Sequence, residues 1–207
     1  MGYSKFKKLA KVVEKFALHT QTVNLFDDAL IQIVTPSSWL EQSLKMAYAT
    51  PPTNEKAKSE RLVSPILLEV YSSYEQTLSF FSGEEIYINA KDNLSGACDF
   101  LFSLHPPSVV LAAPIISLVE AKDEDMEWGL AQCSAQLYAA HLFNLQHKKN
   151  IPVLYGCATT GIEWQFLKFE NSTFYIDRRP ITHLPQILGT WHWILQWYVG
   201  KPQLKTN

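Results

Sequence analysis

A glutamate and a lysine stand two residues apart at the end of an apolar run in the sequence IISLVEAK. Residues in a β-strand alternate between the two faces of a sheet, so we expect Glu120 and Lys122 on one face and Ala121 on the other. Burying two charges is unfavourable unless they are paired or bind something, because both lose their hydration. The spacing therefore predicts either an ion pair that meets water at the surface or the lining of a functional site.

A second carboxylate interrupts the apolar run GACDFLFSL, in which Asp99 is the acid. If the strands of Asp99 and Glu120 are neighbours, the two carboxylates meet at one sheet edge and raise one another's pKa unless a cation lies between them. Mg²⁺ suits that position, since it binds oxygen ligands, retains several waters and needs only one or two protein carboxylates. Mn²⁺ is the alternative ion. With Lys122 orienting a metal-bound water or meeting charge on a phosphate, the set predicts phosphodiester hydrolysis.

The surrounding sequence predicts the elements that must position these residues. Two β-rich runs flank an Asp-Asn-Leu-Ser-Gly turn and indicate a hairpin, the run SVVLAAPIISLVEAK predicts the next strand, and a helix and three further strands follow. A strand, a crossover helix and a returning strand imply a mixed sheet packed with helices, hence an α/β or α+β protein. Other predicted helices lie near residues 9–16, near 36–50, from about Asn54 to Phe80 with a bend at Pro65, and from Leu184 to Val199.

We expect one domain over residues 1–207, with an N-terminal helical extension (1–50), a core (54–178) and a C-terminal helix (183–199). The first helix has a basic face, which indicates either an ordinary solvated surface or a surface that contacts phosphates or membranes. The last helix is rich in tryptophan, which predicts core packing and could include a homodimer contact. The lysines of the basic face are Lys5, Lys7, Lys8, Lys11 and Lys15.

The composition of the chain limits which binding partners and which cellular compartment are expected. The formal net charge of −2 provides no overall basic field, so binding of nucleic acid would depend on a local basic patch. There is no secretory signal and no apolar run of membrane-spanning length, so no membrane partner is expected. Three cysteines without CxxC spacing predict reduced thiols and a cytoplasmic protein.

The combination of an acid at the end of one strand and Glu-x-Lys on the next, in CDF…ISLVEAK, resembles the PD-(D/E)XK nuclease superfamily with its restriction-endonuclease-like fold. The following helix carries Gln132 and Tyr138, similar to a Gln-x(n)-Tyr motif of several branches, although we interpret Tyr138 as a packing residue. The preceding helix carries acids, as members commonly do. The matching segment runs from about residue 54 to residue 170.

The resemblance implies an αβββαβ core, Mg²⁺ dependence and cleavage of nucleic acid, with DNA expected rather than RNA. By position, Asp99 and Glu120 would bind the metal, Lys122 would be the catalytic lysine, and Gln132 would position the active site or the nucleic-acid backbone. A helix acid would complete the metal site, with Glu60 preferred over Glu69, which lies farther along the helix. The basic side chains that would contact the substrate backbone are Lys56, Lys58 and Arg61.

Two other interpretations remain open at the level of sequence. The chain could be a module of the same fold with little turnover that binds a nucleic acid or a protein, and the low net charge favours this reading. It could also be a structural protein in which Asp99 caps a turn and Glu120 and Lys122 form a surface pair. A basic rim beside the acids would favour the enzyme, and an apolar or acidic rim would favour the module.

Overall fold

The computed structural model describes residues 2–27 and 29–200 and contains a seven-stranded mixed sheet in that part of the chain. Its spatial order is β1-β7-β6-β5-β4-β3-β2, with β1–β7 and β4–β5 parallel and the other neighbours antiparallel. This confirms the predicted α/β class with a mixed sheet. The strands are β1 (His19–Val23), β2 (Ser79–Asn89), β3 (Leu94–Ser103), β4 (Ile115–Ala121), β5 (Val153–Thr159), β6 (Trp164–Glu170) and β7 (Thr173–Asp177).

Helices cover both faces of the sheet, and the predicted N- and C-terminal helices are present. They are α1 (Leu9–Phe16), α2 (Ser38–Ala49), α3 (Glu55–Lys58), a π-helical turn (Ser59–Val63), α4 (Ser64–Tyr71), α5 (Met126–Gln146) and α6 (Leu184–Val199), after a 3₁₀ turn at Tyr3–Lys5. One core lies between the sheet and α4 and α6, and a second lies between the sheet and α1 and α5. No helix within residues 2–27 and 29–200 is both long enough and apolar enough to span a bilayer.

The crossover β4–α5–β5 brings the longest helix against the centre of the sheet. Gly156 in β5 allows this close approach, because a Cβ atom at that position would lie 2.7 Å from Cys133 Sγ and from a methyl carbon of Leu137. Both partners are fully buried on α5. Side chains at the sheet-facing positions of α5 are therefore held beside the last residues of β4.

The third predicted helix ends earlier than the sequence pattern indicates. The helix stops at Tyr71, and the expectation that it reaches Phe80 was wrong, because Ser79 and Phe80 pair with Ser103 and Phe102 in the sheet. Burial of the aromatic side chains against β3 outweighs the helical propensity of the segment. Pro65 lies in the first turn of α4, directly after the π-helical turn Ser59–Val63, so the α-helical hydrogen-bond pattern is interrupted beside the position where the sequence predicts a bend.

Two further boundaries differ from the sequence-based expectation. The strand with Glu120 begins at Ile115, and residues 108–114 precede it as a loop. The segment 1–50 also supplies β1, which pairs in parallel with β7 at the sheet edge. The predicted single domain, 1–207, includes residues 1, 28 and 201–207, which lie outside the described part of the chain.

Candidate active site

The antiparallel pairing of β3 and β4 brings the two strand carboxylates to one place. Phe100 lies opposite Val119, and in this register Asp99 comes opposite Glu120. Asp99 Oδ2 accepts a hydrogen bond from the backbone N–H of Ala121 at 2.8 Å. The acid therefore lies at the edge of the ladder, against the end of β4, as the sequence predicts for neighbouring strands.

Glu120 and Lys122 share one face of the sheet and form a buried ion pair. Lys122 Nζ lies 2.8 Å from Glu120 Oε1, and the two side chains are only 7% and 4% exposed. The backbone N–H of Lys122 donates to Thr159 O at 2.8 Å, which extends the β4–β5 pairing beyond Ala121. The interpretation as a solvated surface pair is thus wrong, because an exposed pair would not be withdrawn from water in this way.

A glutamine on α5 holds the second oxygen of Glu120. Gln136 Nε2 donates to Glu120 Oε2 at 2.6 Å, so both carboxylate oxygens of Glu120 have a partner. Gln132, the glutamine predicted for the site, lies one turn earlier, and its buried Oε1 has no hydrogen-bond partner in the described residues. The structure brings Gln136 rather than Gln132 into contact with Glu120.

The helix acid that reaches the cluster is Glu55, in the first turn of α3. Glu55 Oε2 lies 3.3 Å from Lys122 Nζ, and its side chain is 48% exposed. Glu60 instead pairs with Lys56 at 2.9 Å on the surface. Glu69 accepts hydrogen bonds from the N–H and the hydroxyl of Ser37, at 2.7 and 2.8 Å, and so fixes the start of α2. No contact of Glu60 supports the prediction that it is the acid of this cluster. Glu55, which does contact Lys122, was not predicted from the sequence.

The three cations predicted to bind substrate are engaged by the protein itself. Lys56 pairs with Glu60, and Lys58 contacts the carboxylate and the carbonyl oxygen of Asp123 at 2.6 and 2.7 Å. Arg61 donates to the carbonyl oxygens of Ala47 and Thr50 at the end of α2. These contacts tie the third helix to its neighbours and leave Lys58 and Arg61 little freedom to meet a phosphate.

A tryptophan and an acidic turn border the cluster. The Trp128 ring centroid lies 5.5 Å from Lys122 Nζ and 5.4 Å from Lys7 Nζ. Asp125 caps α5 by accepting a hydrogen bond from the N–H of Trp128 at 2.9 Å. Gly129 gives Lys122 room, because a Cβ atom there would lie 3.0 Å from Lys122 Cγ. The exposed acids of this turn and of the first turn of α5 are Glu124, Asp125 and Glu127.

The electrostatics of the cluster favour an added cation. Burial, with the nearby Asp99 carboxylate, raises the pKa of Glu120 to about 7 despite the opposing effects of Lys122 and Gln136. Burial also raises the pKa of Asp99, although the Ala121 N–H and Lys122 act in the other direction. For Lys122, burial alone would lower the pKa, but Glu120, Glu55 and Asp99 together raise it. The ammonium thus remains charged among three carboxylates, which leaves two negative charges without a partner cation when all are ionised.

The donor set has the chemistry that Mg²⁺ requires, but its carboxylates are not gathered as a closed cage. Asp99, Glu120 and Glu55 offer hard oxygen ligands, and a divalent cation would balance the two excess charges that the cluster carries when all three are ionised. Among the described residues, however, no three His, Cys, Asp or Glu side chains converge tightly enough to form a metal site by themselves. Lys122 lies between Glu120 and Glu55 and holds both. Metal binding would therefore require Lys122 to release at least one of them.

Other candidate groups serve the core. Tyr138 packs against Phe16, with ring centroids 4.9 Å apart, which agrees with its interpretation as a packing residue. Cys98 and Cys133 are fully buried, and burial, followed by the charge of Glu120, raises the pKa of both thiols. Raised pKa values keep these thiols protonated at neutral pH, which makes them unsuited to nucleophilic attack.

No protein-family model matches the chain, and no curated protein matches it at a significant level.

Proposed function

We propose that this protein is a Mg²⁺- or Mn²⁺-dependent hydrolase of phosphodiester bonds in nucleic acid, with DNA as the expected polymer. The observation that carries the proposal is the buried Glu120–Lys122 pair with Asp99 opposite and Glu55 at its solvent side. A buried cluster with more carboxylates than cations is unfavourable for folding alone, so a role in binding accounts for it better than stability does. The fold agrees with the resemblance to PD-(D/E)XK nucleases, which remains part of the proposal.

Each residue has a role that follows from its contacts. Asp99, Glu120 and Glu55 would hold the ion, which supplies stabilisation of phosphate charge and activation of water when it is bound. With Glu120 engaged by the ion, Lys122, which shares its face of the sheet, would be available to meet the negative charge that develops on the phosphate. Gln136 would keep Glu120 oriented through its 2.6 Å hydrogen bond.

Cleavage of labelled oligonucleotides tests the proposal. Wild type, Lys122→Met and the matched surface variant Lys149→Met would be incubated with single- and double-stranded DNA and RNA in Mg²⁺, Mn²⁺ or EDTA. We expect metal-dependent products with wild type and Lys149→Met, and a loss of at least about a hundredfold in rate with Lys122→Met. Products that persist in Lys122→Met would show that the cleavage does not depend on this cluster.

A second function is favoured by two specific observations. The turn beside the cluster exposes Glu124 and Glu127, and Lys122 already occupies the place between Glu120 and Glu55. The engaged lysine fits a module that keeps the residues of a nuclease but turns over little, and the exposed acids favour a basic protein surface over a nucleic acid as its partner. A nucleic-acid partner would instead show as binding of oligonucleotides without metal-dependent cleavage. In either case the three free, buried cysteines suit a reducing compartment, and we propose a cytoplasmic location.

A further inference from the structure

The N-terminal segment that precedes α1 is anchored to the body of the protein. The Tyr3 hydroxyl donates to Ile86 O at 3.1 Å in a buried position, and the Phe6 ring lies 5.9 Å from the Phe16 ring. Tyr3 and Phe6 are only 2% and 5% exposed. These two anchors bracket the turn and fix the backbone immediately before Lys7, so Lys7 is presented from a defined position.

Lys7 reaches the rim of the candidate active site. Its Nζ and the Nζ of Lys122 lie 5.4 and 5.5 Å from the centroid of the same Trp128 ring. The two ammonium groups cannot be farther apart than the sum of these distances. Phosphates on one strand of a duplex follow each other at about 3.4 Å of helix axis, so a strand that meets Lys122 brings a neighbouring phosphate within reach of Lys7.

Lys7 is also available, as Lys5 and Lys8 are, and of these three lysines it is the one with a contact to Trp128 in the described structure. It is exposed, and within residues 2–27 and 29–200 no ion pair engages it. Lys11 and Lys15, on the following helix, pair with Glu14 and Asp92 at 2.7 and 3.3 Å. The cations on the third helix are held by the protein, as described above. An exposed ammonium without a carboxylate partner, fixed beside a reaction site, is suited to bind an anion.

We infer that Lys7 binds a phosphate of the nucleic-acid backbone next to the one at the candidate active site, and that Trp128 keeps its ammonium beside Lys122. This rests on the proposed function, because it assigns a substrate contact to that site. It also places the substrate path beside the N-terminal segment rather than along the outer face of the third helix, whose cations are engaged by the protein. The phosphate contact is independent of base identity.

The salt dependence of binding tests this inference. Fluorescence anisotropy would measure the affinity of wild type, Lys7→Gln and Lys149→Gln for labelled single- and double-stranded DNA over a range of salt concentrations. Ca²⁺ would be present at a fixed concentration, because it binds oxygen ligands as Mg²⁺ does and can occupy the cluster. Lys149 is an exposed lysine beyond the far end of α5, about 30 Å along the helix from Trp128, so its variant removes the same charge elsewhere. We expect Lys7→Gln to weaken binding about threefold to tenfold and to reduce the slope of log K against log salt by about 0.7–0.9, whereas Lys149→Gln leaves the slope unchanged.

The outcomes separate this inference from the function on which it rests. Wild type that binds DNA with a slope unchanged by Lys7→Gln would overturn the role of Lys7 alone. Equal losses in Lys7→Gln and Lys149→Gln would overturn it too, because they would reflect net charge only. Wild type that binds no oligonucleotide would overturn both. If Lys7→Gln instead weakens binding to vesicles containing phosphatidylserine and leaves DNA binding intact, the N-terminal segment contacts a membrane surface and the inference is wrong.

Discussion

Lys122 Nζ lies 2.8 Å from Glu120 Oε1 although both side chains are almost completely withdrawn from water. Glu120 and Lys122 lie two residues apart on β4 and its extension. Because side chains alternate between the faces of a strand, the two are neighbours on the same face and can form this contact. Such a pair loses hydration at both ends and is stable only when its geometry and its further hydrogen bonds are good. Gln136 provides one of these bonds to Glu120.

Removal of the lysine should destabilise the fold through the acid that remains. Lys122→Met leaves Glu120 buried beside Asp99 without its cation, and we expect the free energy of unfolding to fall by about 3 kcal/mol. The double variant Glu120→Gln/Lys122→Met should recover most of that loss, because it removes the unpaired charge. Urea denaturation measures both. A single variant as stable as wild type would show that the pair makes no contribution to folding.

The stability should depend on pH through Glu120. Its pKa is raised to about 7 by burial and by Asp99, from an ordinary value of 4.5, so the folded state holds the proton more tightly than the unfolded state does. The resulting stabilisation is complete below pH 4.5 and is lost as the pH rises through about 7. Between pH 5 and pH 8 we expect wild type to lose roughly 2 kcal/mol relative to Glu120→Gln, which does not titrate. Urea denaturation of both proteins at each pH would reveal this; parallel behaviour would mean that Glu120 keeps an ordinary pKa.

Replacement by leucine should affect the free energy of unfolding differently at Gln136 and at Gln132, which lie one helical turn apart on α5. Gln136→Leu removes the 2.6 Å hydrogen bond to Glu120, and we expect a loss of about 2 kcal/mol in the free energy of unfolding. The carbonyl oxygens of both glutamines lack a partner in the described residues, but Gln132 makes no hydrogen bond to Glu120, so Gln132→Leu should be close to neutral or stabilising. Thermal and urea denaturation would compare them. The opposite ranking would mean that Gln132 is the glutamine of the site.

The helix acid of the cluster should be identifiable by metal affinity. Glu55→Gln removes a carboxylate that contacts Lys122, and we expect Mn²⁺ binding to weaken about tenfold. Glu60→Gln is the matched control, because Glu60 lies on the same helix but pairs with Lys56 on the surface, and Mn²⁺ affinity should stay within error of wild type. If Glu60→Gln has the larger effect, the third helix must present its other face when metal binds.

The local alternation of β-strands was sufficient to predict the centre of the site. Asp99 and Glu120 belong to adjacent strands, and a strand period of two puts Lys122 with Glu120, so sequence alone indicated all three residues. The helical contributions were harder to predict. Glu55 and Glu60 are five residues apart, about 140° around an α-helix, and the sequence does not say which side of that helix faces the sheet.

Two further differences between the sequence-based prediction and the structure, the glutamine of the site and strand β1, also depend on tertiary packing. Gln132 and Gln136 lie on the same face of α5, and the choice between them depends on how far the helix slides along β4 and β5, which the close contact at Gly156 determines. Strand β1 was missed because its sequence, HTQTV, lacks apolar alternation; its pairing with the sheet edge at β7 depends on tertiary contacts.

In the proposed function Asp99, Glu120 and Glu55 bind a divalent cation in competition with Lys122, and calorimetric titration with Mn²⁺ is the direct test of this binding. It needs no knowledge of the substrate, and it would compare wild type with Asp99→Asn, which retains the size of the side chain and removes its charge. We predict one Mn²⁺ bound by wild type and none bound by Asp99→Asn at the same concentrations. Equal binding by both proteins, or none by wild type even with an added oligonucleotide, would rule out a metal site at this cluster.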